Sequence, residues 1–161
     1  MVSPNMVMYE EEFKRISALC ARLSREANAK VVFLVDKNGQ MIASAGDTSN
    51  LDTTSLASLT AGNIAATGGL AKLIGEKEFA SQYHEGEHDN FHISIIAGRV
   101  ILVVIFGERA TLGLVRLRVK KASEELAQIF NGLMKKVDAP GANAVFSEIT
   151  DADIDNLFSD V

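Results

Sequence analysis

The stretch His84-Glu85-Gly86-Glu87-His88 has the H-E-x-x-H spacing that, on a helix, turns two imidazoles toward a zinc ion and a carboxylate toward its bound water. His92 adds a third imidazole four residues on. The chemistry needs both histidines on one helical face, and this stretch does not read as a helix. Gly86 interrupts it, Asp89-Asn90 is turn-like, and strand-like runs flank it on both sides. On an extended or looped backbone, residues four apart do not converge, so the expectation is a polar hairpin loop and no metal site. Gly62, Gly68 and Gly69 fall within a helical segment, not after a strand, which excludes a phosphate-cradling loop and a dinucleotide fingerprint. No Gly-x-Ser-x-Gly elbow occurs. Arg109, just past a strand, is the candidate for an arginine finger offered to another protein's phosphates, although most loop arginines are solvated or cap a neighbour. The expectation is a protein that is not an enzyme, with no catalytic residue and no cofactor of its own.

The elements that would carry these residues follow from periodicity. Glu10 to Ala27 reads as an amphipathic helix whose apolar stripe is Phe13, Ile16, Cys20, Leu23 and Ala27. On that stripe Cys20 is a small buried hydrophobe, not a nucleophile. Lys30 to Val35 and Gln40 to Ala45 are strands joined through Asp36-Lys37-Asn38-Gly39, where Asn-Gly tolerates positive φ and signals a hairpin. A long helix spans roughly Leu51 to Ile74, with Asp52 or Asp47 as its cap. One arc of it holds Leu56, Leu59, Thr60, Asn63, Thr67, Leu70 and Ile74. The opposite arc holds Ser58, Ala61, Gly62, Ala65, Gly68, Gly69 and Lys72. Each helical glycine costs about 1 kcal/mol relative to alanine. A solvated face gains nothing for that cost, whereas a face approached closely by another backbone does. Glu78 to His84, Phe91 to Ile96 and Val100 to Phe106 read as strands, the last two joined by Ala97-Gly98-Arg99. Thr111 to Val137 is a final helix with a seam at Val115, Val119, Ala122, Leu126, Ile129 and Leu133. Helix, two strands, helix, three strands, helix implies an α/β (α+β) sandwich around a mainly antiparallel five-stranded sheet.

The chain of 161 residues is one domain's length, and 47% apolar with 23% charged residues suits an ordinary globular protein. One cysteine excludes a disulfide framework and fits a reducing compartment. The longest apolar run, Val100 to Phe106, is far short of the roughly 20 residues of a membrane span. The start of the chain lacks the pattern of a secretory leader, so the expected location is cytoplasmic. All 16 basic residues precede Pro140, with 16 of the 21 acidic ones, so the net charge of −5 resides in residues 140–161. A neutral body with an acidic tail repels phosphate backbones and anionic lipid, which argues against nucleic acid and membrane insertion. The expected organisation is an extension over 1–8, a domain over 9–137 and a tail over 138–161. Within the tail Pro140 to Asn143 is a linker, and Thr150 to Asp153 resembles a capping box. Ile154, Leu157, Phe158 and Val161 then follow at the spacing of a helix that docks in a groove, with self-packing and disorder as the other readings.

Three segments together carry a resemblance. They are Gly107 to Arg116 leading into the final helix, Leu51 to Ala57 before the small-residue helix, and the Asp36 to Gly39 hairpin. Over about residues 8–137 the chain resembles the Roadblock/LC7 family, and within it the bacterial polarity regulators. The resemblance implies a long helix on one sheet face and two helices on the other. It also implies a homodimer in which the second helix and third strand meet their symmetry mates. The partner it implies is a Ras-like small GTPase, whose GTP hydrolysis is stimulated by reshaping of its switch loops, in control of cell polarity and motility at a cell pole. The residues here that match the partner surface are Ala61, Ala65, Gly68, Gly69 and Lys72. The tail would dock elsewhere on the GTPase and act on nucleotide exchange. The alternative is a dimeric scaffold that tethers the GTPase without changing its hydrolysis rate.

Overall fold

A computed structural model describes residues 4–137, in the order α1 (Pro4–Glu26), β1 (Val31–Asp36), β2 (Met41–Gly46), α2 (Thr53–Leu73), β3 (Ser81–Glu85), β4 (Asn90–Ile96), β5 (Val100–Phe106) and α3 (Leu112–Val137). The strands form one sheet in the order β2-β1-β5-β4-β3, every pair antiparallel. All seven residues of β5 are buried because both faces of this central strand are covered. Alternation sorts the sheet's side chains. Val32, Leu34, Leu102, Val104 and Phe106 join the cluster built by α1 and α3, while Val31, Phe33, Val35, Ile101, Val103 and Ile105 face α2. The expected sandwich, one long helix against two, is therefore the observed architecture.

The α3 seam docks as its spacing requires, with Val115, Val119, Ala122, Leu126 and Ile129 all buried. Thr111 caps the helix, its Oγ1 accepting from Leu114 N at 3.1 Å. The α1 stripe differs from expectation. Ile16, Leu19, Cys20, Leu23 and Ala27 are buried, but Phe13 is 51% exposed and Glu12 takes the inward position at 6%. Glu12 is tolerated there because Lys136 Nζ donates to it at 2.6 Å and Arg15 at 3.3 Å. The helix also begins at Pro4, inside the expected extension, and proline suits a first helical turn.

Both tight turns use positive φ, but not identically. Gly39 stands at φ +92°, and Asp36 Oδ1 accepts from Asn38 N at 2.9 Å and Gln40 N at 3.0 Å. Asn38 keeps a negative φ, so this is a longer, bulged turn instead of a two-residue one. At the other hairpin Ala97 and Gly98 both lie in the left-handed region, φ 53° and 65°, with Arg99 N donating to Ile96 O at 3.0 Å. β3 starts at Ser81, three residues later than expected, because its ladder with β4 begins at Ser81↔Ser94. The tail expectations, Ile154, Leu157, Phe158 and Val161 included, lie outside the described residues.

Candidate partner-binding face

The carrier of the candidate face is α2. Asp52 is its N-cap, accepting from Ser55 N at 3.0 Å and Ser55 Oγ at 2.6 Å. Those hydrogen bonds hold the Asp52 carboxyl below its usual pKa. The helix seats on the sheet through Ala57, Thr60 and Ala71, which are buried, with Leu56 and Ile64 packed alongside. Thr67 Oγ1 donates back to Asn63 O at 2.8 Å and accepts from Gln82 on β3 at 2.9 Å.

This seating divides the arc of Leu56, Leu59, Thr60, Asn63, Thr67, Leu70 and Ile74 between the sheet and the outside. Leu59 is 73% exposed, Leu70 58% and Ile74 68%, and Leu73 joins them at 83%. With the smaller Ala57 and Ala71 against the sheet, the leucines are left on the side away from it. A run of exposed leucines on a helix of this length is an unpartnered apolar surface.

Between the seated side and the leucines runs a groove of about 440 Å³. Its wall holds Ala61, Ala65, Gly68, Gly69 and Lys72, the whole set read from the sequence. The structure brings these five together on one flank of α2, and adds Lys37 from the β1–β2 hairpin, Lys77, Glu78 and Phe79 before β3, and Ile95 from β4. Lys37 and Glu78 are 3.5 Å apart across it. Among the described residues Lys72 and Lys77 have no carboxylate within 4 Å, so the rim is basic. A Cβ built on Gly62, Gly68 or Gly69 meets nothing within 4 Å. The fold of the single chain therefore does not require these three positions to be glycine.

The other candidates lie elsewhere. Arg109 is exposed in the loop after β5. Phe106 pairs with Asn90, whereas the groove sits by Lys37 and Ile95 at the opposite end of the strands, so Arg109 does not reach it. His84 lies on β3 opposite Phe91 and His88 in the following loop, the hairpin expected, with no helix to bring them onto one face. Gly86 is required in that loop, since a Cβ there would meet Asp89 O at 2.3 Å. Cys20 is fully buried, and burial raises its thiol to about 11. The five non-helical groove residues Lys37, Lys77, Glu78, Phe79 and Ile95 escape a sequence reading because only the strand order brings them to α2.

The Roadblock/LC7 domain matches residues 15–106, which span α1 through β5 and include the whole groove. The chain belongs to the Roadblock/LC7 family. Among solved structures it is similar to Myxococcus xanthus MglB, with 67% identity over 76% of this chain and 92% of that one, TM-score 0.75. It is similar also to the gliding protein MglB of Thermus thermophilus, with 36% identity over 73% and 90%, TM-score 0.70. An MglB described with a tetrameric arrangement has 34% identity over 73% and 89%, TM-score 0.70. No curated protein matches the chain. Among the described residues no helix of this Roadblock domain is long and apolar enough to cross a membrane.

Proposed function

We propose that this chain is a homodimeric regulator of a Ras-like small GTPase of the MglA kind, acting in cell polarity and motility, and that it stimulates GTP hydrolysis without an active site of its own. The observation that carries this reading is the α2 flank. Glycines and alanines line a basic-rimmed groove in which added methyl groups would meet only open space. A sequence that keeps three helical glycines against their propensity, at positions its own fold leaves free, suits close approach by a second protein's backbone. The likeness to MglB supports the choice of partner.

Dimerisation has its own support. β3 is an edge strand with nothing paired on its outer side among the described residues, and Leu59, Leu70 and Leu73 stand exposed on the adjoining helix. Pairing two such edges extends the sheet and covers apolar surface together. In that dimer two α2 helices lie side by side, and one globular GTPase spans the axis and blocks a second. Arg109 sits at the wrong end of the sheet for a finger. Stimulation therefore comes from reshaping the GTPase's switch loops so that its own residues surround the γ-phosphate. The acidic tail supplies a second contact on the GTPase and acts on nucleotide exchange.

The test is a binding titration with GTP-loaded and GDP-loaded GTPase, using the wild-type chain and Ala65→Arg. Ala65 is exposed on α2, so the variant folds. The expectation is preference for the GTP form and loss of binding in the variant. Equal binding of both chains removes α2 from the interface.

A further inference from the structure

On the face opposite α2, α1 and α3 cover β2, β1 and β5 but leave a second groove open beside α3, over β4 and the start of β3. It measures about 480 Å³. Ala80, Ile96, Val119 and Ala127 make it largely apolar, and Arg116, Lys120 and Glu124 stand at successive helical turns on its α3 wall, two cations to one carboxylate. Among the described residues neither cation has a carboxylate within 4 Å. Buried His92 and Ser94 lie in its floor, joined by a 3.4 Å contact between Ser94 Oγ and His92 Nδ1.

We propose that this groove is the seat of the chain's own C-terminal segment, residues 150–161. The segment's apolar positions Ile154, Leu157, Phe158 and Val161 would enter the groove, and its carboxylates would meet Arg116 and Lys120. Two features select this occupant. The first is charge register: Asp151 and Asp155 are four residues apart, the same spacing as Arg116 and Lys120, and at helical spacing would fall beside the stripe of Ile154, Leu157, Phe158 and Val161. The second is reach. From Ala127, on the groove wall, α3 runs about 15 Å further to Val137. The sixteen residues between Val137 and Ile154 span up to about 50 Å, with Pro140-Gly141 to reverse direction. The segment is tethered, so even modest contacts suffice to hold it there. The seat belongs to the chain without its GTPase, since the tail contact proposed for the complex requires the segment to leave the groove.

Cross-linking in the full chain tests this. Ser123→Cys on the groove wall is combined with Leu157→Cys, and the control pairs Arg25→Cys on α1 with Leu157→Cys. Native Cys20 is fully buried and does not interfere. Under mild oxidation the groove pair closes within one chain at least about fivefold faster than the control, a ratio a single favourable ion pair already allows. At low salt Lys120→Glu slows closure by about the same factor, and adding Asp155→Lys restores it. Equal rates for the two pairs overturn the seat. A disulfide formed only between chains overturns it as well, and assigns the segment to a second copy. Failure of Asp155→Lys to restore closure overturns the charge register.

Discussion

Replacing Gly68 and Gly69 by alanine together should make the chain more stable and the complex weaker. Both positions lie inside α2, and an added Cβ meets nothing within 4 Å at either. Alanine is favoured over glycine by about 1 kcal/mol per helical position, so the double variant gains about 2 kcal/mol. For a domain of this size that raises Tm by roughly 6–10 °C. At a closely packed interface the same methyl groups have no room, and overpacking costs about 1–3 kcal/mol each, a loss of partner affinity of tenfold or more. Urea unfolding at two protein concentrations gives the stability and separates any share due to self-association. Titration with the GTP-loaded GTPase gives the affinity. Opposite signs in the two assays are the expected result. A fall in stability would mean the glycines serve the chain's own fold, and an unchanged affinity would mean the flank is merely solvated; either refutes the reasoning.

His92 is buried, and burial together with Arg116 lowers its pKa below 6.5. The unfolded chain then binds more protons at this site, so stability is undiminished above pH 6.5 and falls as pH drops below it; urea midpoints should decline less steeply below pH 6.5 in His92→Gln. Glu12→Gln should lower stability by about 1–2 kcal/mol in urea, no more, because Arg15 and Lys136 are 63% and 41% exposed and regain water. Ala97 occupies a left-handed conformation that asparagine adopts more readily, so Ala97→Asn should raise the urea midpoint, by about 0.5 kcal/mol of stability. Cys20, with its thiol raised to about 11, should resist a thiol reagent until denaturant is added.

The fold was largely legible in the sequence because its signals are local. The α3 seam, the continuous apolar run of β5 and the hairpin at Asp36 to Gly39 each follow from periodicity or turn chemistry within a few residues. The errors have one physical origin: a helix's buried side is chosen by what it packs against. On α1 the Glu12–Lys136 pair makes an inward carboxylate acceptable and leaves Phe13 outside. On α2 the sheet takes Ala57, Thr60 and Ala71 and leaves Leu59, Leu70 and Leu73 in solvent, which no count of hydrophobic spacing distinguishes. The helical half of the candidate face was legible because glycine in a helix is costly wherever it occurs. Lys37, Phe79 and Ile95 join it only through strand order and could not be read from spacing along the chain.

Single-turnover GTP hydrolysis by the MglA-like GTPase, alone, with this chain and with Ala65→Arg, tests the proposed activity most directly. The account predicts an acceleration of tenfold or more with the wild-type chain, about 1.4 kcal/mol off the barrier, and the unassisted rate with the variant. An unchanged rate under conditions where the GTPase is bound would contradict it, and would make the chain a scaffold.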